Sequence, residues 1–143
     1  MPIYRLVYYS RNHVALDVLA SELADILAKS RENNIRDEIT GALMFNAGCF
    51  AQVLEGPLER VEAAFERIQQ DERHGEVSLL SLEPIAGRSF PNWAMGFVGA
   101  SAADVERYAS FGAASGFDLS RFDGDELHQL LLELAIEEER AAA

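Results

Sequence analysis

Apolar residues recur along this chain with two periods, and the switching between them lays out the elements. Residues 3–9 are rich in β-branched and aromatic types and predict a strand. Leu16, Leu19, Leu23, Ile26 and Leu27 then recur at helical spacing, which predicts an amphipathic helix over residues 15–31. Asn33 and Asn34 follow as a stop, because asparagine tolerates the left-handed conformation that ends helices. Residues 39–45 and 49–54 read as two strands joined by a hairpin turn at Asn46, Ala47 and Gly48. Gly56-Pro57 opens a second helix, with Pro57 suited to its first position. Val61, Ala64, Phe65 and Ile68 form its apolar stripe. A fourth strand is expected over residues 77–83, extending to 85, and a fifth over residues 93–98.

The order is β-α-β-β-α-β-β. Its first six elements match the ferredoxin-like motif, an antiparallel sheet with two helices on one face, so the fold class is α+β. Strand three carries Phe50, Gln52 and Leu54 on one side and Cys49, Ala51 and Val53 on the other. Neither side suits water, so the second face also needs a cover. The C-terminal segment supplies a candidate: Leu127, Leu130, Leu131 and Leu134 line one side of a helix over residues 125–139. A shorter helix is expected over residues 102–109, with a linker rich in glycine and serine over residues 112–124.

Composition narrows the class. At 143 residues, nearly half of them apolar, the chain suits one domain with a real core. No window approaches the roughly 20 apolar residues of a membrane span. Met1-Pro2-Ile3-Tyr4-Arg5 has no basic segment leading into an apolar run, so no signal peptide is expected. The lone cysteine, Cys49, cannot form an internal disulfide, and the expected location is the cytoplasm. A formal net charge of −12 argues against nucleic acid and against anionic membrane surfaces as partners. A phosphorylated ligand would need a local cluster of cations. Lys29 with Arg31, and Arg67 with Arg73 and His74, could supply one.

Signatures of catalysis are absent: there is no metal-spaced Cys or His cluster, no P-loop, no GxGxxG and no nucleophile elbow. His13, His74 and His128 lie far apart in sequence, and structural or surface roles are their default. More informative are polar residues where a core-facing strand should be apolar. Tyr8 shares a side of strand one with Leu6, and Gln52 lies between Phe50 and Leu54. A buried glutamine left unpaired costs about 1–3 kcal/mol. Either Gln52 bonds Tyr8 or the backbone and stiffens the core, or the two jointly face a polar ligand edge. Asn34 as a helix stop needs no ligand. Trp93 and Met95 alternate on one face of strand five, a pattern that ordinarily means core. Ile26 and Ile68 are ordinary stripe residues unless something flat lies between them.

Six strings in order resolve these alternatives. They are Tyr4-Arg5-Leu6-Val7-Tyr8-Tyr9-Ser10, Ser30-Arg31-Glu32-Asn33-Asn34, Ile39-Thr40-Gly41, Phe50-Ala51-Gln52-Val53-Leu54-Glu55-Gly56-Pro57, Ile68-Gln69-Gln70-Asp71-Glu72-Arg73-His74 and Phe90-Pro91-Asn92-Trp93-Ala94-Met95. With these strings the chain resembles the BLUF family, sensors of blue light using flavin, from Tyr4 to Val98. Two departures stand out: Ala51 is smaller than the large apolar residue common in the family before the glutamine, and Asn33 stands where some relatives carry a histidine or another polar residue.

The resemblance implies a noncovalently bound flavin, FAD or else FMN, and a role for each matching residue. Tyr8 would give an electron and a proton to the excited flavin. Gln52 would bridge Tyr8 and the flavin's N5/O4 edge and exchange its donor and acceptor. Asn34 would bond the C4=O/N3 edge, with Asn33 beside it, and Ile26 and Ile68 would clamp the ring faces. Arg31, Arg73 and His74 would serve the ribityl and phosphate side. Ser10 would support the network near Tyr8. Trp93 and Met95, on the strand beside Gln52, would compete for the place near it and relay the change. Residues 1–100 would form the sensor and 101–143 its helical cap and output segment. The residues after Val98 are too few for a typical cyclase or phosphodiesterase. The expectation is therefore a non-enzymatic photoreceptor acting on a separate protein, as a dimer or larger homo-oligomer. The rivals are a ferredoxin-like binding or structural module without flavin, an acylphosphatase-like hydrolase and a redox flavoenzyme. The hydrolase would need an anion-cradling loop after strand one, and Ser10-Arg11-Asn12-His13 is not glycine-rich.

Overall fold

A computed structural model describes residues 2–46, 49–91, 93–98 and 123–142. Strand β1 (Ile3–Asn12) is followed by a 3-10 turn (Leu16–Val18) and helix α1 (Leu19–Asp37). Strands β2 (Thr40–Asn46) and β3 (Cys49–Pro57) come next, then helix α2 (Leu58–Gln69), strand β4 (His74–Ile85) and the short strand β5 (Gly96–Val98). Helix α3 (Gly124–Ala142) closes the described chain. The expected turn residues Ala47 and Gly48, the helix over residues 102–109 and most of the glycine- and serine-rich linker lie outside the described residues.

The sheet order is β4-β1-β3-β2-β5, antiparallel except where β5 runs parallel to β2. Its first four strands have the ferredoxin-like order. Period-2 alternation in β1 and β3 gives the sheet two apolar faces. Leu6, Tyr8, Phe50 and Leu54 pack with Leu23, Leu27, Val61 and Ala64 beneath α1 and α2. Val7, Ala51 and Val53 join Ala42, Met44 and Phe90 on the other side, where Leu127 and Leu131 of α3 complete a second core. The C-terminal helix is thus the cover that two-sided strand three requires. It approaches closely: Gly124 leaves no room for a Cβ against Ser81 of β4.

Two expectations at element ends need correction. Helix α1 does not stop at Asn33 and Asn34 but runs on to Asp37, and Glu38 takes the left-handed conformation, φ 61°. Asn34 still takes part in the ending, because its carbonyl accepts the N–H groups of Glu38 and Ile39. Asp37 explains the extra turn: Arg36 bonds it within α1, and Arg67 of α2 reaches it at 3.1 Å. Pro57 caps α2 from just outside, and Leu58 is the first helical residue.

Candidate functional site

Tyr8 of β1 pairs directly with Gln52 of β3, so the two side chains leave the sheet together on the α1/α2 side. The Tyr8 hydroxyl donates to Gln52 Oε1. That bond points the other end of the amide away, and Gln52 Nε2 donates to Met95 Sδ at 3.2 Å. All three residues are buried, at 3%, 4% and 1% exposure. Burial, helped by the Asp71 carboxylate, raises the Tyr8 phenol far above its ordinary value, so it keeps its proton and acts as donor.

A cavity of about 180 Å³ opens beside this pair, between α1 and α2. Tyr8, Gln52, Leu43, Phe50 and Leu54 come from the strands, and Ile26, Asn33 and Asn34 line it from α1. Ile68 faces it from α2, where the small side chain of Ala64, one turn earlier, leaves space. Lys29, Ser30, Arg67, Asp71, Arg73 and His74 complete the lining. Asn34 Nδ2 donates to the Ala94 carbonyl at 2.6 Å.

The flanking groups are held by a polar frame. His74 donates Nε2–H to the Ile68 carbonyl (2.5 Å), and its Nδ1 pairs with the buried Ser10 hydroxyl (2.6 Å). Arg73 bonds Asp71 (2.7 Å) and reaches Asp25 (2.7 Å) and Glu22 on α1. These bonds raise the Arg73 guanidinium above its ordinary value, and the Arg73 side chain lowers Asp71. Arg73 and His74 therefore brace the cavity by tying it to α1, α2 and β1.

Of the residues expected at the site, the structure brings Tyr8, Ile26, Asn33, Asn34, Gln52, Ile68, Arg73 and His74 to one cavity. Arg31 does not line it. Its Nε donates instead to the Met95 carbonyl at 2.9 Å. Trp93 is a second correction. It precedes β5 rather than lying in it, and it packs into the opposite core, with its ring 6.2 Å from that of Phe90. Residues 94 and 95 bend, so strand alternation fails there and Trp93 and Met95 face opposite cores. Nor is β5 beside Gln52: β2 lies between, and Met95 reaches across it. Lys29 and Arg67, which the sequence offers as cations for a phosphorylated ligand, do line the cavity, whereas no local pattern marks Asp71 as a cavity residue.

The chain matches the family described as sensors of blue light using FAD over residues 3–96. It belongs to the BLUF family. Among relatives, the blue light- and temperature-regulated antirepressor BluF of Escherichia coli K12 is 32% identical over 85 residues, covering 59% of this chain and 21% of that protein. The photoactivated adenylate cyclase subunit beta of Euglena gracilis is 35% identical over 71 residues, covering 50% of this chain and 8% of that protein. The chain therefore spans about a fifth or less of these curated relatives. Two solved structures match over nearly their whole length. BlsA in its photo-activated state has a TM-score of 0.75 at 30% identity, covering 91% of this chain and 94% of that one. BlrB, a BLUF protein in its dark state, has a TM-score of 0.69 at 34% identity, covering 92% and 96%.

As a BLUF protein, the chain is a flavin-based sensor of blue light. The cavity's chemistry fits that group: aliphatic side chains on α1 and α2 suit the faces of a flat ring, and carboxamides and a phenol suit its polar edge. Its volume is below the roughly 300 Å³ at the low end of small-molecule sites. Among the described residues, no helix is long and apolar enough to cross a membrane.

Proposed function

We propose that Tyr8 and Gln52 are the photoactive pair, that FAD is the flavin held, and that the output is a change in the segment leading to β5 and in α3. The observation that carries this reading is the chain of bonds from the Tyr8 hydroxyl through the Gln52 amide to Met95. Ile26 and Ile68 would hold the ring faces, and Asn33, Asn34 and Gln52 its polar edge. Lys29 and Arg67 are the better candidates for the phosphate side, because their ion pairs with Asp25 and Asp37 lie at the exposed rim, whereas Arg73 and His74 are more deeply held within the frame.

When bound, the flavin supplies blue-light absorption and an electron acceptor. Tyr8 would give that acceptor an electron and, along its bond to Gln52, the hydroxyl proton. Return of both to Tyr8 would leave the Gln52 amide with donor and acceptor exchanged. Each bond involved contributes on the order of 1 kcal/mol net, so the exchanged arrangement is metastable and reverts in darkness. Met95 loses the Gln52 N–H in that exchange. Two residues away, Trp93 packs in the core shared with Leu127 and Leu131 of α3, which supports a relay to the C-terminal helix. Driving a partner strongly between two states takes several kcal/mol, so the relay must act on an element already near balance.

In this reading the chain performs no catalysis. It works in the cytoplasm, as an assembly of copies, by engaging a separate protein. Light-minus-dark absorption spectra of the wild type and Tyr8→Phe test the assignment. The wild type should be yellow and show a small red shift. Tyr8→Phe should hold flavin yet show no shift, and a normal photocycle in that variant would remove Tyr8 as donor.

A further inference from the structure

We propose that Arg31 is a positioning residue that sets the lifetime of the light-induced state by holding the backbone of Met95. This rests on the reading that Gln52 is the switching amide.

Three consecutive carbonyls before β5 are each bound by a different donor. The Trp93 carbonyl accepts the Gly41 N–H of β2 at 2.9 Å, outside the ladder that pairs Ala42 with Gly96. The Ala94 carbonyl accepts Asn34 Nδ2 at 2.6 Å, and the Met95 carbonyl accepts Arg31 Nε at 2.9 Å. Both side-chain donors come from the last turns of α1, three residues apart and therefore on one helix face. Residues 94 and 95 bend away from regular pairing, and β5 begins only at Gly96. Side chains of α1 thus replace the sheet in fixing this stretch.

Met95 is held at both ends, by Arg31 on its carbonyl and by Gln52 Nε2 on its sulfur. In the observed orientation the sulfur accepts an N–H. After donor and acceptor exchange, the amide oxygen would face that sulfur, and two lone-pair bearers would meet. With its backbone held by Arg31 and its side chain buried, Met95 can withdraw its sulfur only by a rotamer change inside the core, so the exchanged arrangement is disfavoured and returns quickly. Without Arg31 the segment can swing aside, and the exchanged state lasts longer. Arg31 does this from outside the cavity, so its removal leaves flavin contacts in place.

The test uses the full chain with flavin bound, as wild type, Arg31→Leu and Arg31→Lys. Dark recovery after a blue flash should slow about fivefold in Arg31→Leu, the factor one hydrogen bond of ordinary net strength is worth. Arg31→Lys, which keeps a donor, should recover toward the wild-type rate. A purely structural role would not move one chosen carbonyl, so a second readout follows the bond itself. The chain has three methionines, Met1, Met44 and Met95. With carbon-13 on their carbonyls, one labelled infrared band should rise in frequency in Arg31→Leu and stay in Arg31→Lys. Equal recovery rates in wild type and Arg31→Leu overturn the proposal, as does slower recovery with no labelled band moved. A wild type with no light-induced shift would instead strike the switching role of Gln52, and this proposal with it.

Discussion

Val7 and Tyr8 adjoin in β1, but they serve opposite sides of the sheet. Val7 lies in a closed apolar core, where small residues such as Ala42, Ala51 and Val53 let Leu127 and Leu131 of α3 settle against the strands. Tyr8 borders a cavity and shares its core with the Gln52 amide. A linked polar cluster also occurs on the α3 side. The fully buried Glu55 carboxylate accepts Arg5 Nε at 3.0 Å and the backbone N–H groups of Ser89 and Phe90. Ser89 Oγ in turn pairs with His128 of α3 at 2.8 Å. A carboxylate presents two equivalent oxygens, so turning it over changes nothing, whereas a carboxamide held by two partners can exchange its ends. One face is thus suited to sensing and the other to holding α3 in register, and residues 93–95 join them.

The largest expected effect comes from loosening the closed face alone. Leu131→Ala should cost about 2–5 kcal/mol by denaturant titration, as for other fully buried leucines. Hydrogen exchange in α3 should speed up while flavin and the spectral shift persist. Loss of flavin in this variant would show that the two faces are a single unit.

A smaller effect concerns pH. Burial, with the Arg5 guanidinium nearby, holds the His128 imidazole below its ordinary 6.5, against the pull of Glu55, Asp125 and Glu83. The folded state therefore favours the neutral ring. The stabilisation is complete above about pH 6.5 and is lost as pH falls through the lower folded value. Thermal stability of the wild type should drop on acidification over that window more than that of His128→Gln. An identical pH profile in the two proteins would rule out His128 as the source.

Much of this division was legible in the sequence. Alternation in strands one and three put Tyr8 and Gln52 among apolar neighbours, and two-sided strand three required a second cover. The stretch from Asn33 to Asp37 misled, because the asparagines resemble a stop, while the ion pairs that extend α1 reach Arg67 thirty residues on. Trp93 departs from its expected face because period-2 reasoning assumes a strand, and residues 94 and 95 bend. Arg31 carries the same charge whether it meets a phosphate or a carbonyl, so only the fold could reveal its partner. Nothing in the sequence marks Glu55 as a buried acid, since its partners Arg5 and Ser89 are brought to it by folding rather than by spacing.

The central claim is that the Gln52 amide is the group that changes, and Gln52→Leu tests it most directly. The variant, loaded with flavin, is illuminated with blue light and its spectrum compared with darkness. The account predicts a bound flavin whose absorption does not move to the red. A red shift of wild-type size, reverting in the dark, would contradict it.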